Sequence, residues 1–436
     1  MRRARRRLWV ACFTIALAAL AGCGNPFRFD AEMRSRCFDQ VWTRFEHEHC
    51  STEHVGRLAP WRHEIRDRVK HARTRREYVV ALARFLSEFR DPHVGFESLA
   101  DYFQLHTRDV LTCIVSRATL TRDHLLVEFA PDAIAADPTR AAPLEPGQVY
   151  DVLAVDGVPA SVLAADLLQG QPGELIDVLV RLPDGRHETI SLCAPQPRAP
   201  GLREMVEADP GPLFETPDVV SFRFEHGDIG YLRLFNVRGQ RTVQAFDRAL
   251  NNLIDAEALI LDLRSNGGGT TDVLEAILGR FLAGVRTYAT FDVRIPRLLT
   301  LGLLSDLALP AQVWGRGPVY RGPVVVLVDG STGSCAELLA TALREERGAV
   351  LVGQPTAGAG AVLARAKLPD GLEITYGTLL IRDSVGAAFQ AVGVQPDILV
   401  PLDVIGAGDD AGAALSEWKR RIFATGVAEA RRRAGR

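Results

Sequence analysis

The sequence has no excess of positive charge, no low-complexity segment and, beyond its first twenty residues, no long apolar run. Lysine and arginine total 51 against 54 acidic residues, so the formal charge is −3. Nucleic-acid binding requires a basic surface, and this balance excludes that class of partner. Apolar residues make up 47% of the 436 residues, which excludes a disordered or collagen-like chain. At about 150 residues per domain, we expect two to three domains.

Residues 1–22 have the pattern of a lipoprotein signal peptide. Five arginines precede an apolar run over residues 8–20 that only Thr14 interrupts. As a helix this run rises about 20 Å, too short for a bilayer core of about 30 Å, so it is typical of a secretory signal. Residues 20–23 (LAGC) resemble a bacterial lipobox, which predicts Cys23 as the lipidated first residue of the mature chain. An ordinary signal peptide with an incidental cysteine is the alternative.

The same segment predicts a location in the cell envelope. Removal of residues 1–22 takes away five arginines and no acid, which lowers the formal charge from −3 to about −8. Gly24, and not an aspartate, follows Cys23, and in enterobacterial-type sorting this implies the outer membrane. We therefore expect a protein facing the periplasm or the cell surface, with the lipid anchor as its only contact with a membrane.

Five of the seven cysteines lie beyond Cys23: Cys37, Cys50, Cys113, Cys193 and Cys335. An oxidising compartment permits disulfides, and spacing suggests Cys37 with Cys50 and Cys113 with Cys193. Four cysteines allow three connectivities, so the pairing stays open.

Residues 23–107 are predicted to form an N-terminal helical region. Cys37, Val41 and Phe45 recur at a spacing of four, and the 3.6-residue period continues around Tyr78 and Phe85. Four residues near the end of the first helix have metal-ligating side chains: His47, His49, Cys50 and His54. Nothing in the sequence fixes their geometry, and we interpret them as a solvated helix end.

Residues 108–196 change to short strands and turns. Residues 147–158 predict a buried strand that ends in an Asp-Gly turn, and residues 176–192 predict two strands joined by Pro-Asp-Gly, with a helical stretch between. The segment resembles a PDZ domain, in which a peptide adds as an extra strand. The usual carboxylate-binding loop is not recognisable around residues 113–125, so peptide capture stays open.

Residues 197–405 alternate strands and helices, which indicates an α/β domain. The main predictions are strands at 229–235, 259–263, 324–328 and 350–352, and helices at 243–253, 272–282 and 335–344. Residues 197–212 are the expected linker, and residues 406–436 a terminal helix with a basic, solvated end. Residues 298–309 with Trp314 form an apolar stretch, for which three roles stay open: it lines a pocket, it covers the pocket as a lid, or it packs in the core.

Two of these strands run into turns suited to chemistry. Residues 262–269 (DLRSNGGG) end in three glycines that direct backbone N–H groups into one concavity. No Gly-Lys-Ser/Thr follows, so an oxyanion hole is favoured over a phosphate loop. Residues 332–337 (TGSCAE) place Ser334 between a buried strand and a helix, which exposes its hydroxyl and brings the Cys335 amide near a developing negative charge. Taken alone, Ser334 is an ordinary N-cap.

Three further segments complete an ordered set: residues 89–94 (FRDPHV), 352–358 (VGQPTAG) and 393–397 (GVQPD). Together the five segments resemble the motifs LxDxHT, DLRxNxGG, TxSAAE, VGxPTxG and GVxPD of the carboxyl-terminal processing and tricorn-core serine peptidase family, in that family's order. The resemblance covers roughly residues 34–405. It implies a ClpP/crotonase-like α/β catalytic core with an N-terminal helical region and an inserted PDZ-like, β-rich domain.

The resemblance also implies roles for individual residues. Ser334 matches the nucleophile, and the amides of Cys335 and Gly268 match the oxyanion hole, with Gly269 as the close alternative to Gly268. One branch of the family uses a lysine 25 residues after the serine, where Ala359 stands here. The other branch uses the histidine of the DxH loop, which matches His93.

Three positions depart from the family pattern. Gln390 stands where the Ser–His branch often has an orienting glutamate, and Val94 replaces the threonine after the histidine. Cys335 replaces an alanine, and we interpret its thiol as packing and not as a second nucleophile.

The leading hypothesis is a secreted, lipid-anchored serine endopeptidase that cleaves proteins or peptides without a metal or cofactor, using a neutral His93 as general base. A catalytically inactive relative that binds peptides as a scaffold is the alternative, suggested by Gln390. A hydrolase of esters or peptidoglycan-linked peptides would differ only in its substrate pocket. Oligomeric state and cleavage specificity are not readable from the sequence.

Overall fold

The computed structural model describes residues 29–50, 52–99, 102–103, 112–120, 125–130, 133–134, 144–145, 148–161, 164–165, 167–171, 174–182, 184–195, 219–224, 229–294, 306–402 and 411–435. The predicted signal peptide, Cys23 and the predicted linker over residues 197–212 lie outside these residues.

Within the described residues there are eight α-helices: α1 Ala31–His47, α2 Thr52–Leu58, α3 Arg62–Lys70, α4 Arg75–Ser87, α5 Gly239–Asn251, α6 Thr271–Leu278, α7 Cys335–Arg347 and α8 Ala411–Arg433. The strands are β1 Gly95–Phe96, β2 Thr112–Cys113, β3 Val115–Leu120, β4 Leu125–Phe129, β5 Val149–Val155, β6 Val158–Pro159, β7 Gln169–Gly170, β8 Leu175–Arg181, β9 His187–Cys193, β10 Val219–Arg223, β11 Ile229–Leu234, β12 Ala258–Asp262, β13 Val285–Arg294, β14 Asp306–Trp314, β15 Val324–Val328, β16 Val350–Gly353, β17 Ala361–Lys367, β18 Glu373–Asp383 and β19 Ile398–Leu399.

The N-terminal helices begin where local chemistry favours it. Asp30 and Thr74 accept hydrogen bonds from the third amide of α1 and α4 respectively, which satisfies N–H groups that have no partner inside the helix. Both helices bury the apolar side chains that recur at helical spacing, including Phe45 and Phe85. Helices over residues 31–87 thus lie within the predicted N-terminal helical region.

Residues 112–193 form mostly antiparallel strands. The six-stranded sheet has the order β3-β4-β5-β8-β9, with β6 paired to β5. Asp156 and Gly157, both with positive φ, make the tight turn that the sequence predicts after β5. This sheet shares one apolar core with the N-terminal helices. Its identification as a PDZ-like domain stays a prediction.

The α/β region is built on a six-stranded sheet of order β10-β11-β12-β15-β16-β19, parallel except for β10. The residues of β12 and β15 are buried on both faces, as expected for parallel strands with helices on either side. Leu259 and Leu261 pack in the core formed with α5, α6 and α7. The alternate residues Ala258 and Ile260 pack in the core formed with α8. The predicted α/β architecture is confirmed.

A second sheet, of order β1-β18-β13-β14 with β17 on β18, joins the N-terminal region to the α/β region. Gly95 of β1 lies opposite Thr375 of β18. Because β1 follows directly on the loop that carries His93, this pairing brings that loop to the α/β region.

Three sequence-based expectations need correction or completion. Cys37 and Cys193 are free thiols, so neither suggested disulfide is formed. Leu307, Leu309 and Trp314 lie on β14 and are 44%, 45% and 62% exposed, so core packing is wrong for these residues. The predicted terminal helix is present as α8; Arg431 and Arg432 at its basic end are exposed, and Trp418 and Ile422 earlier in the helix pack against the parallel sheet. Among the described helices, none is long and apolar enough to cross a membrane.

Candidate active site

Ser334 lies at the turn between β15 and α7. Its backbone has φ +53° and ψ −123°, a conformation that residues other than glycine rarely adopt, and the residue is half-buried. Asp329 holds the turn, because its Oδ1 accepts hydrogen bonds from the amides of Ser265 (3.0 Å) and Ser331 (3.0 Å). Asp329 thus ties the turn that carries the strained Ser334 to the neighbouring glycine turn.

The two amides predicted for the oxyanion hole differ in availability. The Cys335 amide, in the first turn of α7, donates to no acceptor among the described residues, as the role requires. The Gly268 amide donates to Oδ1 of Asn266 at 2.9 Å. The predicted donor Gly268 is therefore already engaged in this structure, because the asparagine side chain bends back onto the amide two residues later.

The other two glycines of the turn also differ from each other. Burial raises the pKa of the Cys335 thiol, and the amide of Gly269, the close alternative, opposes that rise. The Gly267 amide has no partner among the described residues, and Gly267 is exposed. A cavity of about 390 Å³ adjoins the turn and is lined by Asn236, Arg238, Gly267 and Gly268. Within the described structure, the amides of Gly267 and Cys335 thus have no acceptor, whereas the Gly268 amide is engaged.

Glu337 connects the nucleophile turn to the loop before β17. Its buried carboxylate accepts hydrogen bonds from the amides of Ser334 (2.7 Å), Gly358 (2.8 Å) and Ala359 (2.8 Å) and from the hydroxyl of Thr356. Burial raises the pKa of Glu337 to about 7, although the donors around it favour the charged form. This carboxylate sets the distance between Ser334 and residues 356–359.

His93 lies on the loop after α4, 9% exposed, and close to Asp91. Asp91 Oδ1 accepts the His93 amide at 2.8 Å and lies 3.7 Å from His93 Nδ1, while Oδ2 lies 3.1 Å from Nε2 of His49. Burial lowers the pKa of His93, and nearby Asp91 opposes that shift. For Asp91, burial would raise the pKa, but the hydrogen bond with His49 and the nearby His93 bring it below its ordinary value. A neutral imidazole therefore lies beside a buried carboxylate.

His93 and Ser334 are not hydrogen-bonded to each other, and His93 Nδ1 has no hydrogen-bond partner among the described residues, although Asp91 Oδ1 lies 3.7 Å away. The segment over residues 358–361 connects their surroundings. A Cβ on Gly377 would lie 2.9 Å from Asp91 Oδ2 and 2.8 Å from Ala361 Cβ, two residues beyond the Ala359 amide bonded to Glu337. The fold therefore brings the histidine loop and the nucleophile turn to the same segment.

Gln390 lies next to Gly360, because a Cβ on that glycine would lie 2.8 Å from the Gln390 amide nitrogen. Its side-chain Oε1 is buried without a hydrogen-bond partner in the described structure. No described contact joins Gln390 to His93. The acid nearest His93 in this structure is Asp91.

The predicted solvated helix end is wrong for two of its four residues. His49 is 1% exposed and stacks on Phe45 with ring centroids 5.0 Å apart, and Cys50 is 8% exposed. His47 is exposed, and the side chain of His54 lies outside the described residues. Ligand atoms of His49, Cys50 and Asp91 lie within 4.8 Å of one another, close enough to hold a metal ion. The hydrogen bond between His49 and Asp91 accounts for the cluster without one.

The burial of Cys335 fits its predicted packing role, and Lys367, eight residues beyond position 359, is the lysine to compare with His93 as a base. Cys335 is 5% exposed, and burial raises its pKa to about 11, so the thiol is protonated at neutral pH. Lys367 lies at the far end of β17, its side chain 65% exposed and its Nζ 3.4 Å from Glu373. A solvated lysine paired with an acid is poorly placed to act as the base.

Sequence reasoning assigned no role at the site to four residues that contribute to it structurally: His49, Asp91, Asn266 and Glu337. Asp91, Asn266 and Glu337 lie inside the motif segments, within three residues of His93, Gly268 and Ser334 respectively, and this closeness in sequence could have pointed to a role at the site. His49 carries no such signal, because it lies 42 residues before Asp91.

Residues 228–400 match the family model described as peptidase family S41. The chain is 26% identical over 296 residues to the chloroplastic C-terminal processing peptidase of Tetradesmus obliquus, covering 63% of this chain and 58% of that protein. It is 23% identical over 337 residues to the carboxyl-terminal-processing protease of Picosynechococcus sp., covering 77% of this chain and 75% of that protein. The chain thus spans less than two thirds of the algal relative.

Among solved structures, mature CPAF complexed with lactacystin is similar, with a TM-score of 0.62 and 15% identity, covering 91% of this chain and 98% of that chain. A second structure of mature CPAF has a TM-score of 0.58 at 15% identity, with 89% and 97% covered. At this identity the similarity establishes the fold alone.

Proposed function

We propose that this chain, whose residues 228–400 match the model of peptidase family S41, is a serine endopeptidase that hydrolyses proteins or peptides with Ser334 as nucleophile and His93 as general base. The observation that carries the proposal is the strained Ser334, held at the start of α7 next to the available amide of Cys335. Backbone strain of about 1–3 kcal/mol persists only where the surroundings enforce it, and such strain clusters at reactive residues.

The proton chemistry follows from burial. The lowered pKa of His93 keeps its imidazole neutral near pH 7, so it can take the Ser334 proton during attack on the scissile carbonyl and return it to the leaving amine. Asp91 is the buried carboxylate closest to Nδ1, at 3.7 Å, and it stabilises the imidazolium formed in between. Asp91 thereby supplies the charge that Gln390 lacks.

The negative charge on the substrate oxygen needs donors that are already in place. The Cys335 amide is one, and the positive end of the α7 dipole lies at the same point. The Gly267 amide is the second available donor. The Gly268 amide joins them only if Asn266 releases it, since Asn266 Oδ1 accepts it at 2.9 Å.

The missing Ser334–His93 hydrogen bond favours a second candidate, a catalytically inactive family member that binds peptides as a scaffold. Catalytic hydrogen bonds are often long in the absence of substrate and tighten on binding, so the geometry is compatible with activity. Lys367 offers no alternative base, because it is solvated and paired with Glu373.

A fluorophosphonate probe distinguishes the two candidates, because only an activated serine reacts. We expect the purified protein to be labelled on Ser334, and the Ser334→Ala and His93→Ala variants to stay unlabelled. Unlabelled wild-type protein that is folded by circular dichroism would support the scaffold.

We further propose that the protein is attached to the cell envelope through lipid on Cys23. The lipobox-like residues 20–23 and the apolar run before them support this location.

A further inference from the structure

The cavity beside the glycine turn adjoins the reactive serine. It has a volume of about 390 Å³ and is lined by Asn236, Arg238, Gly267 and Gly268. A Cβ on Gly268 would lie 2.8 Å from Cβ of Ser334, so the cavity wall and the nucleophile are in contact. A peptide bond held at Ser334 therefore places a neighbouring part of the substrate in this cavity.

The main chain of Arg238 is fixed to the same turn. Val237 forms a parallel β-bridge with Gly269, the Val237 amide donates to the Gly268 carbonyl at 3.0 Å, and the Thr270 amide donates to the Val237 carbonyl at 2.8 Å. The Arg238 amide itself donates to Asn236 Oδ1 at 2.9 Å. The Cα of Arg238 is thus held in place by the hydrogen bonds between Val237 and the glycine turn and by the bond to Asn236, although Arg238 itself is exposed.

Among the described lining residues, Arg238 is the charged one, and its guanidinium forms no ion pair with any described residue. Arg264, on the same glycine turn, shows the contrast, because Asp262 neutralises it through hydrogen bonds of 2.6–3.1 Å. Helix α5 begins at Gly239 with no acidic residue in its first turn, so its dipole adds to the positive potential.

We propose that Arg238 forms a substrate subsite for a carboxylate close to the scissile bond. A guanidinium presents paired N–H donors that match the two oxygens of a carboxylate, and hydrogen bonds between charged groups are the strong ones. The carboxylate is either the side chain of an aspartate or glutamate flanking the scissile bond or the α-carboxylate of a peptide that ends nearby. The inference rests on the proposed peptidase function and names the substrate chemistry for that site.

The test compares cleavage preferences of the full-length wild-type protein with those of Arg238→Gln, Arg238→Glu and the control Arg241→Glu. Arg241 lies three residues further along, is exposed and does not line the cavity, so its variant makes the same charge change outside the subsite. A peptide library produced by chymotrypsin is digested, and the new termini are identified by mass spectrometry. A second library with amidated C-termini distinguishes the terminal carboxylate from acidic side chains.

We expect the wild-type protein and Arg241→Glu to favour a carboxylate next to the cleavage point by about tenfold or more. Arg238→Gln should lose this preference, and Arg238→Glu should replace it with a preference for lysine or arginine. The same preference in wild type and Arg238→Glu would overturn the subsite while the peptidase function stands. Absence of both cleavage and fluorophosphonate labelling of Ser334 in the wild-type protein would instead overturn the peptidase function on which the subsite rests.

Discussion

Glycine 269 is the position where a single methyl group should do most damage to the site. A Cβ placed there would lie 1.8 Å from the carbonyl oxygen and 2.3 Å from the carbonyl carbon of Val237, and neither backbone atom can rotate away. At Gly267, two residues earlier on the same turn, a Cβ would have no neighbour within 4 Å. The variants Gly269→Ala and Gly267→Ala are therefore a matched pair with the same chemical change.

The structure sets the size of the difference. To admit the methyl group, residues 237–238 must move away from the turn, which breaks the hydrogen bonds from Val237 to Gly268 (3.0 Å) and from Thr270 to Val237 (2.8 Å). Losing two bonds with their groups left unsatisfied costs about 2–6 kcal/mol. Gly→Ala restricts the unfolded chain and stabilises by about 0.4–1 kcal/mol in both variants. Gly269→Ala should thus lose about 1–6 kcal/mol, while Gly267→Ala is unchanged or slightly stabilised.

Urea unfolding followed by circular dichroism measures the two free energies, and fluorophosphonate labelling reports on Ser334. We expect Gly269→Ala to unfold at a clearly lower urea concentration and to label more slowly, because the displaced turn changes the surroundings of the serine. Equal unfolding midpoints for the two variants would refute the close approach between Gly269 and Val237.

Three further predictions concern the base, its pKa and the anchor. His93→Ala should abolish peptide turnover about as completely as Ser334→Ala, since the pair acts as a unit. Lys367→Ala should leave turnover nearly unchanged. If the His93→Ala variant were active and the Lys367→Ala variant inactive, the mechanism would be of the serine–lysine type. Because burial lowers the pKa of His93, protonation should disable the base only below about pH 6.5. The acidic limb of the kcat/KM profile should therefore have its midpoint below that value, and a midpoint above pH 7 would contradict the prediction. Cys23→Ser should release folded protein from the membrane fraction, and protein that still pellets with membranes after a salt wash would show that the lipobox interpretation is wrong.

The sequence predicted four strands of the parallel sheet and the three helices of the α/β region closely, but assigned no strand at β13, β14 or β18 of the second sheet. The strand at residues 324–328 is observed at Val324–Val328, and the helix at 335–344 is observed at Cys335–Arg347. These segments are readable because an apolar run bounded by turn residues has few other stable arrangements. The turn holding Ser334 follows from the same local signals.

The surroundings of the candidate residues were less readable. His49 and Cys50 follow directly on α1 and look solvated, yet they are buried because the Cys50 amide donates to the Gly377 carbonyl of β18 at 2.9 Å, and His49 stacks on Phe45. The Gly268 amide looks available, yet the side chain of Asn266 accepts it. Both outcomes depend on how side chains and distant strands pack.

The sequence by itself determined the alternating strands and helices of the parallel sheet, because hydrophobic periodicity is a local property of the chain. The candidate pair Ser334 and His93 came from the resemblance of five ordered motifs to a known family. Only the tertiary structure decided which amides near Ser334 lack an acceptor, that Asp91 is buried and bonded to His49, and that Arg238 lines the cavity without an ion pair among the described residues. Hydrogen bonds and charges act over a few ångströms, and residues 42 positions apart, such as His49 and Asp91, come within that distance only when strands and helices pack together.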